Sequence, residues 1–119
     1  MSFDPVEALL AYHKALNDHD VESIAEMVAD DMRYQSAGLG ELQGKAAFVK
    51  SLQDYFETFP DHQACDDAVT NISANIASSV WSLRATHKTT RETVERRGVE
   101  TISYNDDGKI TEIVVVDYK

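Results

Sequence analysis

Three stretches of this chain hold residue types that could do chemistry together. They are Ala11-Tyr12 in the first amphipathic segment, the run VADDMRYQSAG at 28–38, and RRGVETISYNDDGKI at 96–110. Tyrosine, carboxylate and imidazole groups move protons or polarise an oxygen near neutral pH. In a small domain they act as a set when an otherwise apolar cavity gathers them. Other chemistries lack their spacing. The four histidines show no HExxH or comparable ligand pattern, so no metal site is expected. There is neither GxGxxG nor a P-loop, and SAGLGELQG at 36–44 lacks the strand-turn-helix setting and the lysine spacing for phosphate. No cofactor is expected. The single cysteine, Cys65, excludes an intramolecular disulfide, and its near-apolar surroundings predict a packed thiol in a reducing compartment.

At 119 residues the chain is long enough to bury one core, and a single domain over 1–119 is expected. Acids outnumber bases 21 to 11, for a formal charge of −10, so a duplex or an anionic bilayer would repel most of the surface. Nucleic acid and membrane are therefore poor partners. No stretch approaches a membrane span, and MSFDPVEALL carries an acid where a signal peptide needs bases; a cytoplasmic protein is expected. Five of the eleven bases are Arg84, Lys88, Arg91, Arg96 and Arg97. They are expected on the outer face of a sheet, paired across strands with Glu92 and Glu95, or as a site for an acidic partner chain.

The elements that must position these groups are legible. Asp4-Pro5-Val6-Glu7 combines an N-cap acid, proline at the first helical position and a capping-box glutamate, which predicts a helix from Pro5 to about Leu16. Val6, Leu9, Leu10 and Leu16 form its apolar stripe, with Tyr12 and His13 at the edges. Asp20 caps a short second helix, buried through Val21, Ile24, Met27 and Val28 and ending before Asp30. Met32, Tyr34 and Ser36 alternate as a strand, and Gly38, Gly40 and Gly44 mark a flexible loop. Phe48, Val49, Leu52, Tyr55, Phe56 and Phe59 repeat at helical spacing until Pro60. Beyond it the period becomes two, predicting strands at 65–72, 77–87, 93–104 and 109–118, the last pair joined by the tight turn Asn105-Asp106-Asp107-Gly108. Helices first and long strands afterwards indicate an α+β fold, with three N-terminal helices on one face of a curved antiparallel sheet.

In order of elements and length the chain resembles the NTF2-like superfamily, the cystatin-like cone fold of ketosteroid isomerases and SnoaL-like polyketide cyclases. YHKALNDHDVESIAEMVADD resembles the first two isomerase helices, and DGKI their final hairpin. The resemblance places Tyr12 on the isomerases' oxyanion-hole tyrosine and Glu100 on their second oxyanion-hole acid, a carboxylic acid kept neutral by an apolar site. It places Ser36 where they hold the aspartate that shuttles the proton. A serine has no basicity near neutral pH, so the family's electrophilic half is present without its base, and isomerisation by the family's mechanism is not expected.

The strand parity that turns Glu100 inward also turns Ile102 and Tyr104 inward; the matching registers turn Ile113, Val115 and Asp117, and Trp81, Leu83 and His87, the same way. The expected cavity has Trp81, Leu83, Ile102, Tyr104, Ile113 and Val115 as its wall. Tyr12, Tyr34, Ser36, His87, Glu100 and Asp117 are its polar complement. SnoaL-like cyclases, by resemblance, use an acid–base pair from the last strands, for which His87, Glu100 and Asp117 are the candidates. Glu100 could instead pair with Arg96 or Arg97 on an exposed face. The function expected is a cofactor-free cone that binds a hydrophobic or aromatic small molecule. As an enzyme it would be an isomerase, lyase or cyclase, with Tyr12 and Glu100 polarising an oxygen and His87 or Asp117 moving a proton. The alternative is a non-catalytic binding or dimerisation domain. Apolar residues of both parities in ITEIVVV predict that the second sheet face is covered too, by a homodimer.

Overall fold

The computed structural model describes residues 3–37 and 40–118. Three helices precede most of a six-stranded sheet: α1 Pro5–Asn17, α2 Val21–Met27, β1 Val28–Ser36, β2 Gly40–Gln43, α3 Lys45–Thr58, β3 Gln63–Ser73, β4 Ile76–Thr86, β5 Thr93–Tyr104 and β6 Ile110–Asp117. The strands lie in the order β2-β1-β6-β5-β4-β3. The Asp4 carboxylate accepts from the backbone N–H groups of Val6 and Glu7, and Asp20 accepts from Ser23, so both acids expected to cap a helix do so.

Three details depart from the sequence reading. The sheet is mixed, because β1 runs parallel to β6 while its other neighbours pair antiparallel. The strand expected from Met32 begins at Val28, immediately after α2, since Asp30 and Asp31 are exposed on an extended segment. The glycine-rich stretch expected as a loop contains the short edge strand β2, which closes back on β1. Around the last turn, Gly108 has φ +78° and the Asn105 side chain accepts from the Asp107 and Lys109 N–H groups.

One face of the sheet carries the core. At the end next to the β5–β6 turn, Leu9 and Ile24 from α1 and α2 pack against Val28, Ile102, Ile110 and Ile113, all essentially without exposure. Toward the other end α3 covers the same face through Phe48, Leu52 and Phe56, and the packing opens. The α3 helix stops two residues before Pro60, and β3 follows at Gln63. On the opposite sheet face, Val80, Val99 and Val116 are in register on adjacent strands. Cys65, opposite Ser82 on that face, is exposed; the packed thiol expected from sequence is not observed, because its strand parity is opposite to that of Asp66, which faces the core.

Candidate functional site

The open end is a cavity of about 480 Å³ between α1, α3 and the sheet. Its wall is mostly apolar, with Leu16, Phe56 and Phe59 from the helical side facing Trp81, Leu83 and Val115 from the strands. Polar groups reach it at several places, two of which are ion-paired.

The first is a hydrogen-bonded row from α1 to β5. His13 Nδ1 lies 2.6 Å from Asp66 Oδ1, and His13 Nε2 contacts Glu100 Oε1. Ser79 donates its hydroxyl to Asp66 Oδ1 at 2.5 Å. Strand geometry explains the convergence: Asp66 pairs with Trp81 and Ser79 with Glu100, so β3, β4 and β5 present these groups on one face. His13 lies one turn from both Leu9 and Leu16 on α1, on the same stripe. An imidazole with a carboxylate on each nitrogen donates twice, which it can do only as the cation. Burial alone would lower its pKa, but the hydrogen bonds it donates to Asp66 and Glu100, with their charges, raise it to about 10. Asp66 shows the complementary effect: burial opposes its charge, and the His13 and Ser79 hydrogen bonds outweigh it, so its pKa is lowered. Glu100 is 6% exposed and lines the cavity. His13 engages its Oε1 and not its Oε2.

Tyr12 stands beside this row, its side chain buried and lining the cavity. Burial first, and then the Glu100 charge, push its hydroxyl well above the usual range. It stays a donor. Tyr34 shares a hydrogen bond with Ser36, and burial pushes its hydroxyl up to about 12. Across the cavity the Tyr55 hydroxyl meets His62 Nδ1 at 2.7 Å, and burial, assisted by His19, pushes His62 down to about 4. His62 is thus a neutral acceptor.

The second polar place is Arg96, whose Nε and Nη2 donate to the two Asp117 oxygens at 2.7 and 2.8 Å. Its guanidinium lies 5.8 Å from the centre of the Trp81 ring. The outer-face position expected for Arg96 is corrected: it lines the cavity, two strand steps of two residues from Glu100 on the same face. Arg84, by contrast, sits with Glu95 at 3.9 Å on exposed side chains, where the basic group was expected.

Of the expected site residues, Tyr12, Tyr34, Ser36, Trp81, Leu83, Glu100 and Val115 line the cavity. Ile102 and Ile113 have the right parity but lie fully buried under α1, too far along the strands to reach it. Tyr104 lies farther still, edge-on to Phe3 at 5.0 Å and beside a separate cavity of about 260 Å³. His87 falls beyond the end of β4, where its Nδ1 accepts from the Thr89 and Thr90 N–H groups and its ring packs edge-on to Phe59. Asp117 is committed to Arg96 and does not line the cavity. His13 and Asp66 are the site residues that the sequence reading passed over. The stripe position of His13 was readable; the role of Asp66 depends on a register shift after it in β3, which no local pattern announces.

A family model for the SnoaL-like domain matches residues 9–113. The chain belongs to the SnoaL-like domain family. No curated protein matches the sequence. Among solved structures, the SnoaL-like chain is similar to Rv0760c from Mycobacterium tuberculosis in complex with estradiol-17β-hemisuccinate, with TM-score 0.83 and 19% identity over 93% of this chain and 91% of that one. It is similar to the epoxide hydrolase/cyclase-like enzyme SalBIII of pyran ring formation in the polyether salinomycin, with TM-score 0.82 and 17% identity over 94% and 88% of the chains. A third similarity is to an LEH-like epoxide hydrolase of M. tuberculosis, with TM-score 0.82 and 14% identity over 96% and 82%. At these identities the likeness shows the shared cone fold, on which enzymes and ligand-binding proteins are both built.

Proposed function

We propose that this SnoaL-like protein is a cofactor-free general acid–base catalyst acting on a small hydrophobic or aromatic molecule held in the cone, in the manner of an isomerase, lyase or cyclase. The observation that carries the reading is the row Ser79, Asp66, His13, Glu100, which ends on the cavity. Ser36 leaves the expected base position empty of a base, and Glu100 fills the need from the opposite strand. His13 holds one Glu100 oxygen and leaves the other for substrate; Asp66 fixes the His13 ring. Glu100 Oε2 takes a proton from a carbon next to a carbonyl, while the Tyr12 hydroxyl donates to that carbonyl oxygen as it gains charge. Return of the proton to another carbon completes an isomerisation; loss of a leaving group completes an elimination. Glu100 and Tyr12 are the catalytic residues in this reading, and His13 and Asp66 position Glu100. His87 and Asp117 have no part in it.

A panel of steroids, polyketides and aromatic acids screened by thermal shift identifies ligands; exchange of their C–H positions in deuterated buffer then reads proton abstraction. Glu100→Gln should retain binding and lose about 10²-fold or more in exchange. Ligands that bind without exchange in the unaltered protein would establish the alternative, a non-catalytic binding domain.

The same proposal includes a homodimer through the outer sheet face. Val80, Val99, Val114 and Val116 share that face on three adjacent strands, and Val116 is 59% exposed. Sedimentation at micromolar concentration should show a dimer, and Val116→Asp a monomer. No helix among the described residues is long and apolar enough to cross a membrane. A cytoplasmic location is part of the proposal, tested by cell fractionation.

A further inference from the structure

The cavity has an acid–base row at one place and a fixed guanidinium at another, and the second has no task in the chemistry above. Arg96 is held there by three devices. Asp117 takes its Nε and Nη2 hydrogens in a bidentate pair. The Trp81 ring lies under it. Trp81 can occupy that position because residue 98 is glycine: a Cβ on Gly98 would stand 2.9 Å from Trp81 Cζ2 and 2.2 Å from the Val116 carbonyl oxygen. The Arg96 side chain is 24% exposed, and among the described residues Asp117 is the one acceptor recorded for it. A guanidinium has five N–H donors, so the pair leaves three, including both on Nη1, for something in the cavity. An ion pair serving only to join β5 to β6 would not need its cation to line a cavity.

Arg96 and Glu100 lie four residues apart on β5 and on one face, which separates them by about 13 Å. Trp81, Leu83 and Val115 make the wall between them apolar. We infer that the ligand is an elongated amphiphilic acid: an apolar or aromatic body with its reacting oxygen at Tyr12 and Glu100, and a carboxylate or similar oxyanion at the far end received by Arg96. This rests on the acid–base reading for the orientation of the ligand, and it adds the polarity that the reading leaves open. Asp117 then has a second effect. By sharing the guanidinium it moderates anion binding, so the subsite holds an acid and still releases it.

The test uses 4′-hydroxybiphenyl-4-carboxylic acid and its methyl ester, a rigid pair with a phenol at one end, binding being measured by calorimetry alongside thermal melting of each variant. The unaltered protein should bind the acid about tenfold more tightly than the ester. Arg96→Gln should bring the ratio near one, and Arg96→Lys should keep part of it. Asp117→Asn should raise the ratio by freeing the guanidinium. Glu100→Gln should leave the ratio intact even where it abolishes exchange chemistry. Failure of catalysis alone would therefore count against the acid–base reading and not against the anion subsite. Equal binding of acid and ester in the unaltered protein would overturn the inference, as would Arg96→Gln and Asp117→Asn weakening both ligands alike, the signature of a purely structural pair. If neither probe binds, the inference falls together with the ligand cavity. Should Arg96→Gln not fold, the opposite directions expected for Arg96→Lys and Asp117→Asn decide.

Discussion

The two ends of the sheet's covered face are built from the same strands and the same parity, yet they do different work. Under α1 and α2, Ile102, Ile110 and Ile113 meet Leu9, Ile24 and Val28 and are shut off from solvent. A few residues along β4, β5 and β6, Trp81, Leu83, Arg96, Glu100 and Val115 face a cavity under α3. Parity chooses the face, and the helix above decides whether a side chain becomes core or wall. His13 and Arg96 are tolerated at the open end because each finds carboxylate partners across an element boundary: His13 from α1 with Asp66 and Glu100, Arg96 from β5 with Asp117 from β6.

The largest effect should come where the open end leans on the backbone. Gly98→Ala sets a Cβ against the Val116 carbonyl and the Trp81 ring, and relief requires β5 and β6 to part. A loss above about 4 kcal/mol, measured by urea unfolding, is expected. A loss below about 1 kcal/mol would mean that the Trp81 and Arg96 end is loosely packed.

Next come the apolar replacements that compare the two ends directly. Ile113→Ala at the closed end should cost about 2–5 kcal/mol, and Phe56→Ala, removing an aromatic side chain from under α3, about 3–5 kcal/mol. Leu83→Ala on the cavity wall should cost nearer 1 kcal/mol, since it enlarges an existing space and was partly hydrated before. Equal costs for Ile113→Ala and Leu83→Ala would erase the distinction between core and wall.

A smaller effect, but one specific to the polar row, is its pH dependence. The pKa of His13 is about 10 in the fold and near 6.5 when unfolded. The native state therefore binds the proton more tightly, and this contribution to stability is fully present below about pH 6.5 and is lost as pH rises through about 10. His13→Gln should flatten the alkaline side of the stability profile. His62 runs the other way: lowered to about 4, it disfavours the fold as pH falls from about 6.5 toward 4. Titration of the two imidazoles by NMR checks both, and an ordinary midpoint for His13 would dissolve the row.

The smallest expected change is at the outer sheet face, where Val116→Asp should alter the proposed assembly with little effect on the cavity. It places a charge on a face that the core does not use. A dimer that survives Val116→Asp would relocate the interface.

Much of the fold was legible because its signals are local. The Asp4-Pro5 start of α1, the phenylalanine spacing of α3 and the change to period two after Pro60 each follow from the chain within a few residues. Alternation puts Arg96 on the same face of β5 as Glu100, but its charge argued for the outside and the outer face was expected. For charge, exposure is the usual outcome, and only a partner such as Asp117 on the next strand reverses it. The candidate site was half legible for the same reason. Residue type and parity marked Tyr12, Tyr34, Ser36, Trp81, Leu83, Glu100 and Val115 as inward. They could not measure how far along each strand the cavity extends, so Ile102, Tyr104 and Ile113 were assigned to it, as were His87, which instead accepts from the Thr89 and Thr90 N–H groups, and Asp117, which instead pairs with Arg96.

By itself the sequence determined most of the elements and the alternation along them, because helix caps, periodicity and turn chemistry act between near neighbours. The tertiary structure alone decided that His13 lies between Asp66 and Glu100, 53 and 87 residues away, and that Arg96 turns inward on Trp81. Those placements depend on strand order, on the register shift in β3 and on which helix covers which end, all of them consequences of packing distant segments together.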